Sequence, residues 1–516
     1  RHAGGILQNK LVQDLVVNIY NKMLIPKMKK SLLKEELGIF ESLAKESNYS
    51  MDKVIKAFYQ ADGLMLISRM SIMKHLFKDF PARHLPGCSS AVVNSDWTSD
   101  GKLLVLRNQD YPIVGPWEKN TTVIFNEPTE KGHIPNISVT SAGLHSSGLT
   151  SMNKEGLTVA AHAHFGKEVS LSGTPVFMIG NEIINKARTL NEAASIAKSF
   201  KRFANWTIVV SSAKENKSIA IEMTPTITKV REMKDGHMSH TNFFHDTELN
   251  KSEALINGCR HDDDFARLTR IYQLLSSKRG SVTPQDMVHV CGDHVDPWSN
   301  MERVFGNTVS VMSTVKSVVF CPEDFTLWVS SRKESPVGLG DFLKVDGHNF
   351  WSDSAKNELE MLPGKVPQRK DLIKKIKEYR DAYVSWHIED HPNYKENTYQ
   401  KLLKCLEGEQ TDGHLYAQAG ILGFQLGKIE QAQEYLQKAL NLDLSSNLME
   451  VTKLFMARCF DLTNKRVEAK NIYMSLIEKN NPTTIKASKK GLKRPYNPKQ
   501  NNNIMIDFQF PEPIEY

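Results

Sequence analysis

The spacing of apolar side chains changes twice along the chain. Within residues 1 to about 80, LVQDLVVNIYNKML and the stretch from Met51 to Leu76 place apolar residues three and four apart, the helical period, and Asp52 puts a favourable charge at the start of the second stretch. Two prolines and a glycine in FPARHLPGC end this pattern just before Cys88. From Cys88 to about Ser331 the period falls to two. SSAVVNSDW, KLLVLRNQD, TTVIFN, GLTVAAHAHF, WTIVVSSA, SIAIEM, SVVFC and TLWVSS are rich in Val, Ile and Thr and bounded by turn formers, which predicts strands. NEIINKARTLNEAASIAKSFKRF and DDFARLTRIYQLLSS interrupt them as amphipathic helices. Strands, a helix, more strands and another helix make an α+β plan rather than strict βαβ alternation.

After Pro363 the helical period returns. Gly420, Gly427, Ala432 and Ala439 fall at offsets of seven, five and seven, the small-residue spacing that lets the two antiparallel helices of a tetratricopeptide hairpin approach closely. Ala457, Asn464, Ala469 and Leu476 keep those offsets, with Tyr473 at a large-residue position. An ordinary helical hairpin with Ala and Gly at its crossing would leave the same trace. So few repeats do not stand alone, and the segment is expected to lean on the domain before it. The expected division is a helical segment over 1–87, a core over 88–355, a helical module over 356–480, and a basic tail over 481–516 whose IMIDFQF could dock as a strand.

Composition narrows the class. The chain has 516 residues, 40% hydrophobic and 24% charged, the balance of a folded protein. Its net charge of +7 is concentrated at the front, where the first 87 residues carry 14 Lys/Arg against 8 Asp/Glu. Arg-rich runs with interleaved aromatics are missing, so no nucleic-acid partner is expected. No apolar run approaches the roughly 18 residues that span a bilayer, so no transmembrane segment is expected. The chain begins at Arg1 rather than Met, so an upstream segment is expected to have been removed or left out, and the compartment stays open. Six cysteines show no CxxC spacing and read mostly as buried free thiols.

One of them invites chemistry. Gly87 leaves the peptide carbonyl before Cys88 uncrowded, which favours attack by the thiol on its own upstream bond. Cleavage there would give Cys88 a free α-amino group with a pKa of about 8, a base attached to its own nucleophile. About twenty residues on, a separation that fits two paired strands of a hairpin, Arg107-Asn108-Gln109-Asp110 supplies a guanidinium to stabilise a thiolate and a carboxylate to hold an ammonium. SMNKEGLTVAAHAHF adds a tight turn and a strand, and SHTNFFHD a loop with Asn242 after a strand.

In this order the residues resemble the N-terminal nucleophile hydrolases of the choloylglycine hydrolase and penicillin acyltransferase group, relatives of acid ceramidase and N-acylethanolamine amidase. The matching pieces are Gly87-Cys88, Arg107-Asn108-x-Asp110, Met152-Asn153-x-x-Gly156-Leu157, Thr241-Asn242, the Arg267 to Arg270 helix and the closing run NTVSVMSTVKSVVFCPEDFTLWVS. The resemblance covers roughly residues 1–350. It implies a four-layer αββα sandwich and a cysteine amidohydrolase or acyltransferase that acts on an acyl amide or acyl thioester without a cofactor or metal. It makes Cys88 the nucleophile, released by self-cleavage after Gly87. Asp110 would bind the new α-amino group, Arg107 would sit beside the sulfur, and Asn242 with the backbone N–H of Ala163 would hold the oxyanion. Arg267 would complete the electrostatic support, although Ala266 precedes it where the acyltransferase branch tends to have Ser, which leaves Arg270 in contention. Several such relatives work outside the cytoplasm, which favours that side for this chain.

Two other classes compete. The helical module could bind a partner protein, with the core a non-catalytic scaffold. Alternatively His162-x-His164 on one strand face, with His237, His240, His245 and the His261-Asp262-Asp263-Asp264 run, could hold a metal for hydrolysis, although no subset has the close, regular spacing of a zinc motif.

Overall fold

The computed structural model describes residues 22, 26, 34–58, 87–111, 114–143, 146–170, 172–253, 258–348, 360–388, 391–408 and 412–515. Apart from Lys22, the first predicted helix lies outside these residues, as does the second beyond Phe58.

Two seven-stranded antiparallel sheets form the core. The first runs β10-β1-β2-β11-β12-β13-β14, from β1 (Gly87–Val93), β2 (Leu104–Asp110), β10 (His237–His240), β11 (Thr314–Cys321), β12 (Thr326–Ser330), β13 (Phe342–Asp346) and β14 (Met361–Leu362). The second keeps chain order, from β3 (Thr121–Asn126), β4 (Asn136–Ser141), β5 (Thr150–Asn153), β6 (Leu157–His164), β7 (Asn205–Ser212), β8 (Lys217–Met223) and β9 (Thr228–Glu232). Alternation along each strand assigns the faces. Val92, Val105, Met238, Val318, Phe320 and Leu327 of the first sheet pack against Ile137, Val139, Met152, Ala160, Val209 and Ala220 of the second.

The opposite faces receive helices. Ala91, Val93, Leu104 and Leu106 pack on Ile271 and Leu275 of the helix Gly258–Ser276 and on Met287, Val288 and Val290 of the helix Pro284–Cys291. Leu157, Val159, Ile208 and Val210 pack on the helices Val176–Lys186 and Leu190–Ser199. These two replace the one long helix that the sequence predicts, because Ala187 is extended and Thr189 caps a new start by accepting from the Glu192 N–H. Phe40 and Ile55, from the helices Lys34–Ser47 and Met51–Phe58, are buried in the same cluster, so these two helices are packed onto the core.

The C-terminal part folds as antiparallel helical hairpins. Gly413–Gln425 turns through Gly427 (φ +75°) into Ile429–Leu440, and Ser446–Leu462 turns through Asn464 (φ +61°) into Arg466–Ile477. Gly420 permits the first crossing: a Cβ there would meet Leu436 Cγ at 2.6 Å. The hairpins lean on the core, sharing one apolar cluster that joins Tyr111, Val304, Phe305 and Met312 to Tyr379, Leu415 and Phe455. The tail contributes the helix Pro482–Lys493 and a two-residue pairing of Ile504–Met505 with Ile514–Glu515, not a strand added to either large sheet. Ile506 and Phe508 are nevertheless buried among the hairpins.

Candidate active site

The pattern that fills the space between the sheets changes character at one end. There the inward positions of β1 are Cys88 and Ser90, that of β2 is Arg107, and those of β6 are His162 and His164, all buried. β1 and β2 pair in the register Gly87↔Asp110, Cys88↔Gln109 and Ser90↔Arg107, so Arg107 is the diagonal neighbour of Cys88 on the same face. Its Nη2 donates to Cys88 Sγ at 2.9 Å. The Arg-Asn-Gln-Asp run is thus part of the strand.

On the other side of β1, β10 pairs Ser90 with His240, and the chain continues past His240 until Asn242 lies opposite Cys88. The Cys88 N–H donates to Asn242 Oδ1 at 2.7 Å. Asn242 Nδ2 donates across to the carbonyl of Ala163 on the second sheet at 3.0 Å. In an extended strand the N–H and C=O of one residue face the same edge, so the Ala163 N–H points toward this same end.

Asp110 occupies the outer face of the first sheet, opposite Gly87. Its Oδ1 accepts from Thr314 Oγ1 at 2.7 Å, while its buried Oδ2 has no hydrogen-bond donor among the described residues. Burial pushes its pKa up against the pull of Arg267. Arg267 comes from the outer helix and donates through Nη1 to the Cys88 carbonyl and to Ser89 Oγ, both at 2.8 Å. Asp263 accepts from its Nε at 3.0 Å and Asp264 from its Nη2. Although burial works against its charge, Asp264, Asp263 and Asp110 hold the Arg267 pKa above its ordinary value. Arg270 is turned elsewhere and pairs with Asp293 at 2.9 Å.

Cys88 itself is only 5% exposed, and burial pushes its thiol pKa up against the opposing charge of Arg107. As the chain stands it holds a thiol that needs a base. The residues named from sequence, Cys88, Arg107, Asp110, Ala163, Asn242 and Arg267, thus meet around one peptide. Asn153 is apart from it and serves its own turn, accepting from the Glu155 and Leu157 N–H groups.

The sequence reading missed Ser89, Thr314, Asp263 and Asp264 as members. It weighed His162 and His164 as metal ligands against surface polar or hydrogen-bonded residues. Both are fully buried, His162 against Ser90 and Arg107 and His164 against Thr207 and Phe244. Among the described residues no group of three or more His, Cys, Asp or Glu side chains is arranged to hold a metal ion. No described helix is long and apolar enough to cross a membrane.

Residues 97–335 match the family model described as acyl-coenzyme A:6-aminopenicillanic acid acyl-transferase. Arg107, Asp110, Ala163, Asn242 and Arg267 fall inside the matched stretch, and Gly87 and Cys88 lie just ahead of it. No curated protein matches the chain. The family match supports, in general terms, an acyltransferase or amidohydrolase of the N-terminal nucleophile type.

Proposed function

We propose that this acyltransferase or amidohydrolase is a self-processing enzyme whose nucleophile is the thiol of Cys88. The observation that carries the reading is the convergence on one peptide bond. The sulfur, its guanidinium partner Arg107, the amide of Asn242 and the donor-free Oδ2 of Asp110 all surround the Gly87–Cys88 link. The helix, sheet, sheet, helix order of packing supports an αββα sandwich of N-terminal nucleophile type. The two helical hairpins, each with a left-handed turn at Gly427 or Asn464, support a tetratricopeptide-like reading, although their 37-position offset is longer than the roughly 34 of that repeat.

In the first step the Cys88 sulfur attacks the Gly87 carbonyl carbon, the C–N bond breaks, and the acyl group passes to sulfur. Water then cleaves that thioester, leaving a carboxylate on Gly87 and a free amine on Cys88. The neutral amine, oriented by Asp110 Oδ2, alternates thereafter as base and, once protonated to an ammonium, as acid. It takes the thiol proton, and the thiolate attacks the acyl carbonyl of an amide or thioester. Asn242 and the Ala163 N–H donate to the resulting oxyanion, which collapses to an S-acyl enzyme as the leaving group takes the proton back. Water or an amine then accepts the acyl group.

Intact mass and a denaturing gel of wild type and Cys88→Ala test this. Wild type gives two fragments meeting between Gly87 and Cys88, and the variant gives one unsplit chain. An unsplit wild type that also resists a thiol-directed acylating probe at Cys88 would overturn the reading and favour a non-catalytic scaffold.

A further inference from the structure

Behind the guanidinium that serves the sulfur lies a ring that the reaction above does not use. Arg107 is fully buried, and its hydrogen bonds go to Cys88 Sγ, to the Ala161 carbonyl and to the ring of His162. No described carboxylate forms an ion pair with it, unlike buried Arg267 and Arg303, which each face two or more acids. A buried guanidinium ordinarily needs an acidic partner. Here such a partner would neutralise the charge available to the sulfur.

His162 takes that place. Arg107 Nη1 lies 3.0 Å from its Nε2 and 3.3 Å from its Nδ1. Near-equal distances set the guanidinium over the ring, across both nitrogens, rather than along one lone pair. Nε2 meanwhile lies 2.8 Å from Ser90 Oγ, and the ring also bonds the backbone of Thr241, next to Asn242. One imidazole therefore joins the strand holding Arg107 to the turn holding Asn242. The charged and titratable groups around it are Arg107 from β2, His164 from its own strand, His240 from β10 (ring centroids 4.9 Å apart) and Arg267 from the outer helix. Burial, then Arg107, pushes the His162 pKa well below its ordinary value, so the ring is neutral and can lie against a cation.

We infer that His162 is a positioning residue: a neutral imidazole that holds the Arg107 guanidinium on Cys88 Sγ without taking up its charge. This rests on the reading of Cys88 as the nucleophile. The groups facing the thiol are Arg107, Asp110 and Arg267. Arg107 donates to the sulfur from its side chain and Asp110 from its backbone N–H, and of the two Arg107 alone brings a positive charge, so loosening it raises the thiol pKa.

The test is the rate of iodoacetamide labelling of Cys88, read by peptide mass across pH on the full chain, for wild type, His162→Phe, His162→Asn and His164→Asn. The labelling midpoint in His162→Phe is expected to rise by about one pH unit, roughly a tenfold slower reaction at neutral pH. His162→Asn, smaller and still polar, is expected to shift partway and stands in if the phenylalanine does not fold. His164→Asn, in the same buried row but without a bond to Arg107, should leave the midpoint in place. An unchanged midpoint in a folded His162 variant, or an equal shift in His164→Asn, overturns the inference. Labelling reports the thiol whether or not the chain splits, so failure of the cleavage reading would be seen separately on the gel.

Discussion

Cys88 and Asn242, 154 residues apart, are joined by one hydrogen bond from the backbone nitrogen of the first to the side-chain oxygen of the second. With its oxygen held there and one amide hydrogen on the Ala163 carbonyl, the Asn242 amide has a fixed orientation and a second hydrogen left to offer. Asn242→Ala should therefore lower turnover by roughly 10²–10³-fold, the loss typical of one oxyanion donor, with a much smaller effect on KM. Steady-state kinetics on any accepted amide or thioester substrate checks this. A rise in KM alone would assign Asn242 to ground-state binding.

Gly87 admits a second measurement. A Cβ there would lie 3.2 Å from Asp110 Oδ2 and 3.3 Å from Asp110 Cβ, with Asn242 Oδ1 at 3.6 Å. Gly87→Ala should displace the scissile carbonyl by tenths of an ångström and slow self-cleavage by about 10- to 100-fold. The mature enzyme, once formed, would lack that methyl in its active chain and so have wild-type kcat. A time course of intact mass separates the two effects.

How far these positions could be read in advance depends on how locally they are determined. Cys88, Arg107 and Asp110 belong to one hairpin, so spacing brings them together, whereas Asn242, after a short strand, is singled out by the family resemblance. Arg267 against Arg270 was not decidable from composition, because three residues on a helix turn a side chain by about 60° from the first. The acids at 263 and 264, one turn before Arg267, were the available signal, yet in the HDDD run they read equally well as metal oxygens. Thr314 carries no local mark: it meets Asp110 through a strand pairing 204 residues away, at a register irregularity. The strands β4 and β9 escaped because each carries few apolar residues, Ile137 and Val139 in the first and Val230 in the second.

The attachment of the helical hairpins to the core rests on Arg303. Its Nε donates to Asp296 at 2.7 Å within the core, and its Nη1 to Asp412 at 3.2 Å in the helical module, all three side chains being buried. Nη2 adds Asp443. Arg303→Ala would remove the guanidinium that buried Asp296 and Asp412 share, a loss of about 3–5 kcal/mol. Chemical denaturation followed by tryptophan fluorescence should show this as a lower midpoint. An equal loss in Asp443→Ala, at the half-exposed end, would contradict the assignment.

The tail makes the fold sensitive to pH. Asp507 is buried, its Oδ1 accepts the Gln509 and Phe510 N–H groups at 2.7 and 2.8 Å, and burial raises its pKa from 3.8 to about 7 against those bonds and Arg260. Between the two values the folded state keeps a proton that the unfolded state has lost. Stability from this group is therefore complete below about pH 4 and declines as pH rises toward 7. Asp507→Asn keeps the acceptor for both N–H groups and removes the charge. It should match wild type near pH 4 and exceed it increasingly up to pH 8, by an amount on the order of 4 kcal/mol at most. Melting temperatures of the pair across that range give the difference directly. Other buried acids, such as Asp263, tilt both proteins alike, so they cancel in the comparison. A constant offset between the two curves, with no growth toward neutral pH, would mean that Asp507 stays ionised in the fold and that Arg260 outweighs the burial.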